Sequence, residues 1–265
     1  MELCSIASGS SGNCIFAGSD STGVLIDAGI SGKRVEAGLN AIGRTGRDLS
    51  AVFISHEHSD HIKGLGVLAR RFGLPVYATR ATWEAVIKSP GIGEIPEELY
   101  HEVRADCPFT VGDLEVEPFS ISHDAADPVA YRINCGRKSA AIATDMGMYN
   151  DYTIRHLQHL DVLFIEANHD VHMLEAGRYP YYLKRRILGS RGHLSNEDSG
   201  RLLSELLHDG IRQIMLAHLS KENNYPALAF ETVCSEITMG DNPYKAKDFA
   251  ISVAHRDEIG DLISI

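Results

Sequence analysis

The stretch Ile54-Ser55-His56-Glu57-His58-Ser59-Asp60-His61 constrains this chain more than any other. Three imidazoles and the Asp60 carboxylate fall within six residues, directly after the apolar run 51–54 and directly before a segment of helical period. A strand end that opens into a tight turn holds side-chain ligands stiffly. Imidazole and carboxylate are the donors that Zn²⁺ and its borderline neighbours take. A merely solvated polar turn would need H-x-H-x-D-H to arise by accident, in a chain where only 13 of 265 residues are His. The H-E-x-x-H zinc helix does not apply, because these residues are not spaced i, i+4 on one helical face. The stretch therefore implies a metal site with ligands enough for two ions.

The rest of the composition narrows the setting. Apolar residues make up 44% and charged residues 23%, ordinary for a soluble globular chain. A length of 265 residues admits one large domain or two small ones. Neither a basic-then-apolar leader nor a run of 18 apolar residues occurs, so neither a signal peptide nor a membrane span is expected. Cys4, Cys14, Cys107, Cys135 and Cys234 are scattered, odd in number and never spaced C-x-x-C. That pattern points to reduced thiols in a cytoplasm, not to a disulfide frame or a thiolate zinc site. The net charge of −11 works against indiscriminate attraction to nucleic acid, so a polyanionic substrate needs a local basic patch or the ions themselves.

Along the chain, 3–7 and 14–17 read as a hairpin around the Ser/Gly turn 8–13, either a plain loop or an anion-binding concavity. Residues 23–28 form a strand, and Ser31 caps a helix through about Ile42. Residues 51–55 deliver the histidine cluster. Ile62, Leu65, Leu68 and Phe72 predict one amphipathic helix from about Ser59 to Phe72. A strand at 75–78, a helix at 81–88 and a Pro/Gly/acid linker at 89–98 follow. Strands are predicted at 113–121, 129–135 and 137–144. The second half alternates: helix 152–160, strand 162–165, basic helix 179–188, helix 195–207 capped by Ser195 with Asp198, strand 211–217, a helix through Phe230 and Ile237, and strand 249–253. The layout is one α/β domain over residues 1–265, with two sheets and helices outside both.

Four later polar residues follow apolar strands as His56 does: His123, Asp145, Glu166 and His218. Several strand ends presenting ligands toward one rim make a common site. H-E-H-S-D-H followed by a single His, a single Asp and a single His resembles the metallo-β-lactamase fold superfamily. S-G-S-S-G-N-C, L-I-D-A-G, G-H-L-S-N-E-D and H-L-S-K-E-N-N together resemble its WalJ/YycJ/VicX-type bacterial members, which are similar to DNA exonucleases.

The resemblance implies a four-layer αβ/βα sandwich of two mixed β-sheets flanked by helices. It implies His56, His58 and His123 on one ion, Asp60, His61 and His218 on a second, and Asp145 bridging them. Nitrogen and oxygen donors suit Zn²⁺ and Mn²⁺ alike. It further implies hydrolysis of DNA phosphodiesters, 5′ to 3′, by a metal-bridging hydroxide that Asp60 orients. His193, just ahead of the Ser195 cap, would be the general acid and Glu166 its partner; packing at a helix start is the other reading of His193. Asp27 would hold the ligand loop by hydrogen bonds, or is an ordinary strand-end turn residue.

Between Glu175 and Glu197 lie Arg178, Lys184, Arg185, Arg186 and Arg191 with no acid among them, and Tyr179, Tyr181 and Tyr182 interleaved. These cations, with Ser195, are candidates for binding backbone phosphates, the tyrosines for stacking on unpaired bases. A solvated helix face is the alternative. His169 could line the cleft. His101, His156, His159 and His208 read as surface residues and His255 as structural. Two other functions fit parts of the pattern: a phosphodiesterase of small cyclic or nucleotide phosphates, and a metal-containing regulatory protein of a two-component signalling operon. DNA is the expected partner, with no membrane association.

Overall fold

A computed structural model describes residues 1–265. Strands β1 (Glu2–Ala7) and β2 (Cys14–Gly18) form the predicted antiparallel hairpin, with Leu3 opposite Ala17. β3 (Gly23–Ile26) follows, then α1 (Gly32–Ala41), whose Ser31 cap accepts from Arg34 N. β4 (Leu49–Phe53) leads to the histidine cluster, ending two residues before the predicted limit.

The helix predicted over 59–72 is instead two, α2 (Ser59–Ile62) and α3 (Leu65–Phe72). Gly64 is the reason. Its N–H donates to Ala28 O at 2.7 Å, and a Cβ there would lie 2.2 Å from Ile30 O. Backbone passes too close for the helix to continue, so apolar periodicity carried across a tertiary contact that it could not report.

The chain continues with β5 (Val76–Ala78), α4 (Arg80–Val86), β6 (Tyr100–Glu102), β7 (Phe109–Val111), β8 (Leu114–Ser120), β9 (Val129–Cys135) and β10 (Lys138–Ala143). Next come α5 (Asp151–Leu157), β11 (Val162–Glu166), α6 (Val171–Ala176), α7 (Tyr181–Ile187), α8 (Asn196–Leu206), β12 (Gln213–Ala217), α9 (Pro226–Met239), β13 (Ile251–Val253) and β14 (Ile263–Ser264). Short β6, β7 and α6 lie outside the predicted elements. Three residues give too little period to read, and α6 is set by its Asp170 cap, which accepts from Met173 N at 2.7 Å.

Two seven-stranded mixed sheets result, in the orders β14-β1-β2-β3-β4-β5-β6 and β13-β12-β11-β10-β9-β8-β7. In the first, β3 to β6 run parallel and the hairpin side antiparallel. In the second, β10 to β13 run parallel, and β7, β8 and β9 are antiparallel neighbours. No helix is long and apolar enough to cross a membrane.

The chain divides into two compact units. The first comprises Met1–Ser120, Ala125–Lys138 and His255–Ile265. Its core joins Phe16, Leu25 and Val52 of the sheet to Leu39, Ile62, Leu65 and Leu68 of the helices. Each such buried side chain contributes about 1.5–3 kcal/mol. The second comprises Ile121–Asp124 and Ser139–Ala254. Its β11 is apolar without a break at Val162-Leu163-Phe164-Ile165, all buried, the signature of a parallel strand covered on both faces. α8 lies against α9.

Gly64→Ala is expected to lower the melting temperature by several degrees, since overpacking against backbone costs about 1–3 kcal/mol; an unchanged calorimetric transition would remove Gly64 as the cause of the helix break.

Candidate metal centre

In the first unit the cluster is built outward from Asp27. This residue follows β3 with a left-handed backbone, φ 61°, a conformation Asp tolerates better than most side chains. Its N–H donates to Phe53 O at 2.8 Å, joining the ends of β3 and β4. Its Oδ1 accepts from Ser55 N at 2.8 Å, and its Oδ2 from Ser55 Oγ at 2.8 Å and His61 Nδ1 at 2.7 Å. Asp27 and His61 are both buried. The carboxylate thus orients the His61 ring with Nε2 turned away from it, 3.6 Å from Asp60 Oδ2. His56 Nδ1 lies 3.0 Å from Ser55 Oγ, and its Nε2 meets His58 Nδ1 at 3.0 Å. Two imidazole nitrogens this close suit two ligands of one ion, given Zn–N bonds of about 2.0–2.1 Å.

The Ser/Gly turn 8–13 proves to be part of this frame. Asn13 N donates to Asp60 O at 2.8 Å, Gly29 N to Asn13 O at 2.7 Å, and Asn13 Nδ2 lies 3.1 Å from His61 Nε2. Gly9 N in turn donates to Asn13 Oδ1 at 2.9 Å. A Cβ at Gly29 would stand 1.7 Å from Asp60 O, so only glycine lets the loop reach the ligand segment. Of the two sequence readings of this turn, neither included that role; the Asn in G-S-S-G-N was the available signal.

In the second unit the organising group is Glu166, fully buried at 0% exposure. Its Oε1 lies 2.7 Å from His193 Nδ1 and 3.0 Å from His218 Nδ1, and its Oε2 accepts from Met146 N at 2.8 Å and Leu194 N at 3.2 Å. Burial by itself would raise the Glu166 carboxyl; the His193 and His218 rings and their hydrogen bonds outweigh it and hold the group well below the usual carboxylate range. For His193, burial works against the charged ring, but the Glu166 carboxylate, with Asp145 beyond it, raises its pKa above the ordinary imidazole value.

Asp145 and His218 also stand at strand ends with left-handed backbones, φ 63° and 56°. Such strain persists where surrounding structure over-determines it. Asp145 Oδ1 lies 3.4 Å from His218 Nε2, 3.7 Å from His123 Nε2 and 3.7 Å from His193 Nδ1. His123 Nδ1 donates to Gly192 O at 3.0 Å. Asn168, absent from the sequence-derived candidates, donates from Nδ2 to His218 O at 2.9 Å.

A common pattern tests the fit of divalent ions. In His56, His61, His123 and His218, Nδ1 meets a hydroxyl, a carboxylate or a carbonyl, so that Nε2 would be the nitrogen offered to an ion. Ligating imidazoles are characteristically oriented in this way. With Asp60 and Asp145, these donors suit zinc or manganese and are poor for a soft, thiolate-seeking metal.

The remaining candidates divide. Arg191 Nε donates to His123 O at 3.0 Å, and Arg186 forms a forked pair with Asp124. Lys184 Nζ instead donates to Glu175 O at 2.7 Å, and Arg185 lies over the Tyr181 ring at 6.0 Å. Arg178 is exposed. Ser195 is 3% exposed, and its Oγ accepts from Asp198 N at 3.0 Å and donates to Asp198 Oδ2 at 2.9 Å, capping α8 as its sequence pattern predicts. His169 is 1% exposed and so does not line a cleft; burial pushes its pKa down to about 4.

The chain belongs to the beta-lactamase superfamily: the model of the beta-lactamase superfamily domain matches residues 22–219. Its sheets are those of the metallo-β-lactamase fold. Zn²⁺-bound PqqB from Methylobacterium extorquens superposes with a TM-score of 0.73 over all of both chains at 18% identity, a likeness of fold. Within the superfamily the chain stands with the WalJ/YycJ-type proteins. It is 42% identical over 236 residues to the exodeoxyribonuclease WalJ of Streptococcus pneumoniae, covering 89% of this chain and 88% of that one. It is 43% identical over 224 residues to the exodeoxyribonuclease YycJ of Bacillus anthracis, covering 84% of each. Fold and His/Asp clusters together suggest divalent metal binding.

Asp27→Ala is expected to weaken binding of Zn²⁺ or Mn²⁺ about 10–100-fold by releasing the His61 ring. Isothermal titration measures it; an unchanged affinity would assign Asp27 to the loop alone.

Proposed function

We propose that this protein is a metal-dependent exodeoxyribonuclease that hydrolyses DNA phosphodiester bonds from a 5′ end. The observation that carries the reading is the Glu166–His193 pair beside Asp145, 2.7 Å from carboxylate to ring nitrogen. Phosphodiester hydrolysis must protonate a departing alkoxide, whereas a site that only activates water has no need of a second, charged imidazole. The names of the 42–43% identical relatives support the same substrate.

In this reading His56, His58 and His123 would hold one divalent ion and Asp60, His61 and His218 a second, with the Asp145 carboxylate serving both. When bound, the ions, Zn²⁺ or Mn²⁺, would supply a nucleophile at neutral pH and Lewis-acid stabilisation of the phosphoryl oxygens. The chain's own groups do the rest. Asp60 orients the attacking water and accepts its proton. His193, with Nδ1 fixed by Glu166, presents Nε2–H to the leaving oxygen. Arg186 and Arg191, joined to Asp124 and His123, bring positive charge to the strand being cut. Five free cysteines, scattered and never spaced C-x-x-C, support a reducing cytoplasm.

Asp145→Ala should abolish digestion of end-labelled DNA. His193→Ala should lower kcat about 10²–10⁴-fold. A product ladder that begins in the interior would sink the exonuclease reading, and turnover confined to cyclic phosphates would replace DNA with a small substrate. The pH profile gives a separate check. A general acid must be protonated, and the His193 pKa is raised, so kcat should fall as pH rises through that raised value. Glu166→Gln removes the charge responsible and should move this alkaline limb to lower pH; a limb that stays in place would reassign the proton donor.

A further inference from the structure

The region between Glu175 and His193 has an unusual surface. α7 has no buried residue, and Tyr181 and Tyr182 are each 75% exposed at its start. Large aromatic rings held in water at this level call for a purpose. Packing of an apolar face usually stabilises a short helix, and among the apolar residues of α7 only Leu183 and Ile187 are even half-buried. Its charge is equally one-sided: five cations and no acid lie between Glu175 and Glu197, in a chain of net charge −11.

The base of this arm is fastened to the metal-ligand loop of the same unit. His193 N donates to Ile187 O at 3.0 Å, and Gly192 N to Gly189 O at 2.7 Å. Ser122 Oγ donates to Ser190 O at 2.7 Å, and Arg191 Nε to His123 O at 3.0 Å. Arg186 Nη2 reaches Asp124 Oδ1 at 3.1 Å. Helical spacing puts Tyr182 on the stripe of Arg186, i to i+4, and Tyr181 on that of Arg185, whose guanidinium lies 6.0 Å from the Tyr181 ring centre. Tyr181 is thus paired with a cation and Tyr182 shares a stripe with another, on a helix anchored at the residues flanking His123.

Resting on the DNA reading above, we propose that Tyr181 and Tyr182 form a stacking platform for unpaired bases. The platform makes single-stranded DNA, or an end already unpaired, the preferred substrate. Cations flanking exposed aromatics bind single strands by pairing with phosphates while the rings take base faces. In a blunt duplex those faces are covered by neighbouring base pairs, so the rings gain nothing from it. A second copy of the chain is the other possible occupant of two exposed rings, and the continuity of the arm with His123 and its charge favour the nucleic acid.

The test uses the full-length, metal-loaded protein with Tyr181→Ala/Tyr182→Ala and Tyr181→Phe/Tyr182→Phe variants. Fluorescence anisotropy with labelled oligo(dT) and steady-state digestion of single-stranded and blunt duplex DNA are read together. The alanine pair should weaken oligo(dT) binding and raise the single-strand KM by about tenfold or more, a typical loss for one stacked base. Its kcat and its blunt-duplex digestion should stay unchanged, and the phenylalanine pair should behave as wild type. Both substitutions lie on exposed positions, and circular dichroism checks the fold. Equal behaviour of the alanine pair and wild type on single strands overturns the platform. So does a change confined to sedimentation velocity, which would make α7 a self-association face. Oligo(dT) binding that needs the tyrosines in a wild-type protein that cuts no DNA would defeat the nuclease reading and leave the platform standing.

Discussion

An ionised carboxylate taken out of water costs several kcal/mol unless each oxygen finds a donor. Glu166 meets that condition with four: two imidazoles on Oε1 and two backbone amides on Oε2. The charge is therefore kept, and it does three things at once. It fixes the tautomer of His218, it favours the protonated form of His193, and it pins the segments carrying Met146 and Leu194 to the end of β11. Remove the carboxylate and His218 loses its orientation, while His193 loses both its orientation and the support for its charge.

The first unit repeats the device with different parts. Asp27 receives Ser55 N, Ser55 Oγ and His61 Nδ1, and again a buried acid sets which way an imidazole ring is turned. In both units the carboxylate or ligand sits where a strand stops. Asp27, Asp145 and His218 turn the chain there with positive φ. A rigid sheet supplies the positions, and a strained residue at its edge supplies the direction. Preorganisation of this kind is what lets neutral imidazoles converge without waiting for the ion.

Much of this was legible in the chain. His56, His58, Asp60 and His61 were readable because four donors within six residues seldom gather except to hold a metal. His123, Asp145, Glu166 and His218 were readable because each follows an apolar run. β9 fell on its predicted limits, since Pro128 precedes it and the turn at Gly136 ends it. The single helix predicted over 59–72 failed at Gly64, where the reason is a carbonyl of residue 30. Ser195 carried a capping-box pattern, and its hydroxyl meets both the N–H and the carboxylate of Asp198. Asn13 and Asn168 were missed because one asparagine in a loop looks like any other until its partner is known.

The sequence by itself determined the donor chemistry, the order of the strand ends that bear it, the superfamily those residues resemble and the local concentration of positive charge. These are matters of residue type and spacing, which short-range periodicity preserves. Tertiary structure decided which nitrogen of each ring is presented, which acids are partners and which are caps, and that Gly29 and Gly64 are places where backbone touches backbone. Those outcomes depend on donors and acceptors that meet across tens of residues, as Asp27 meets His61 and Glu166 meets both His193 and His218, and no local pattern contains both halves of such a bond.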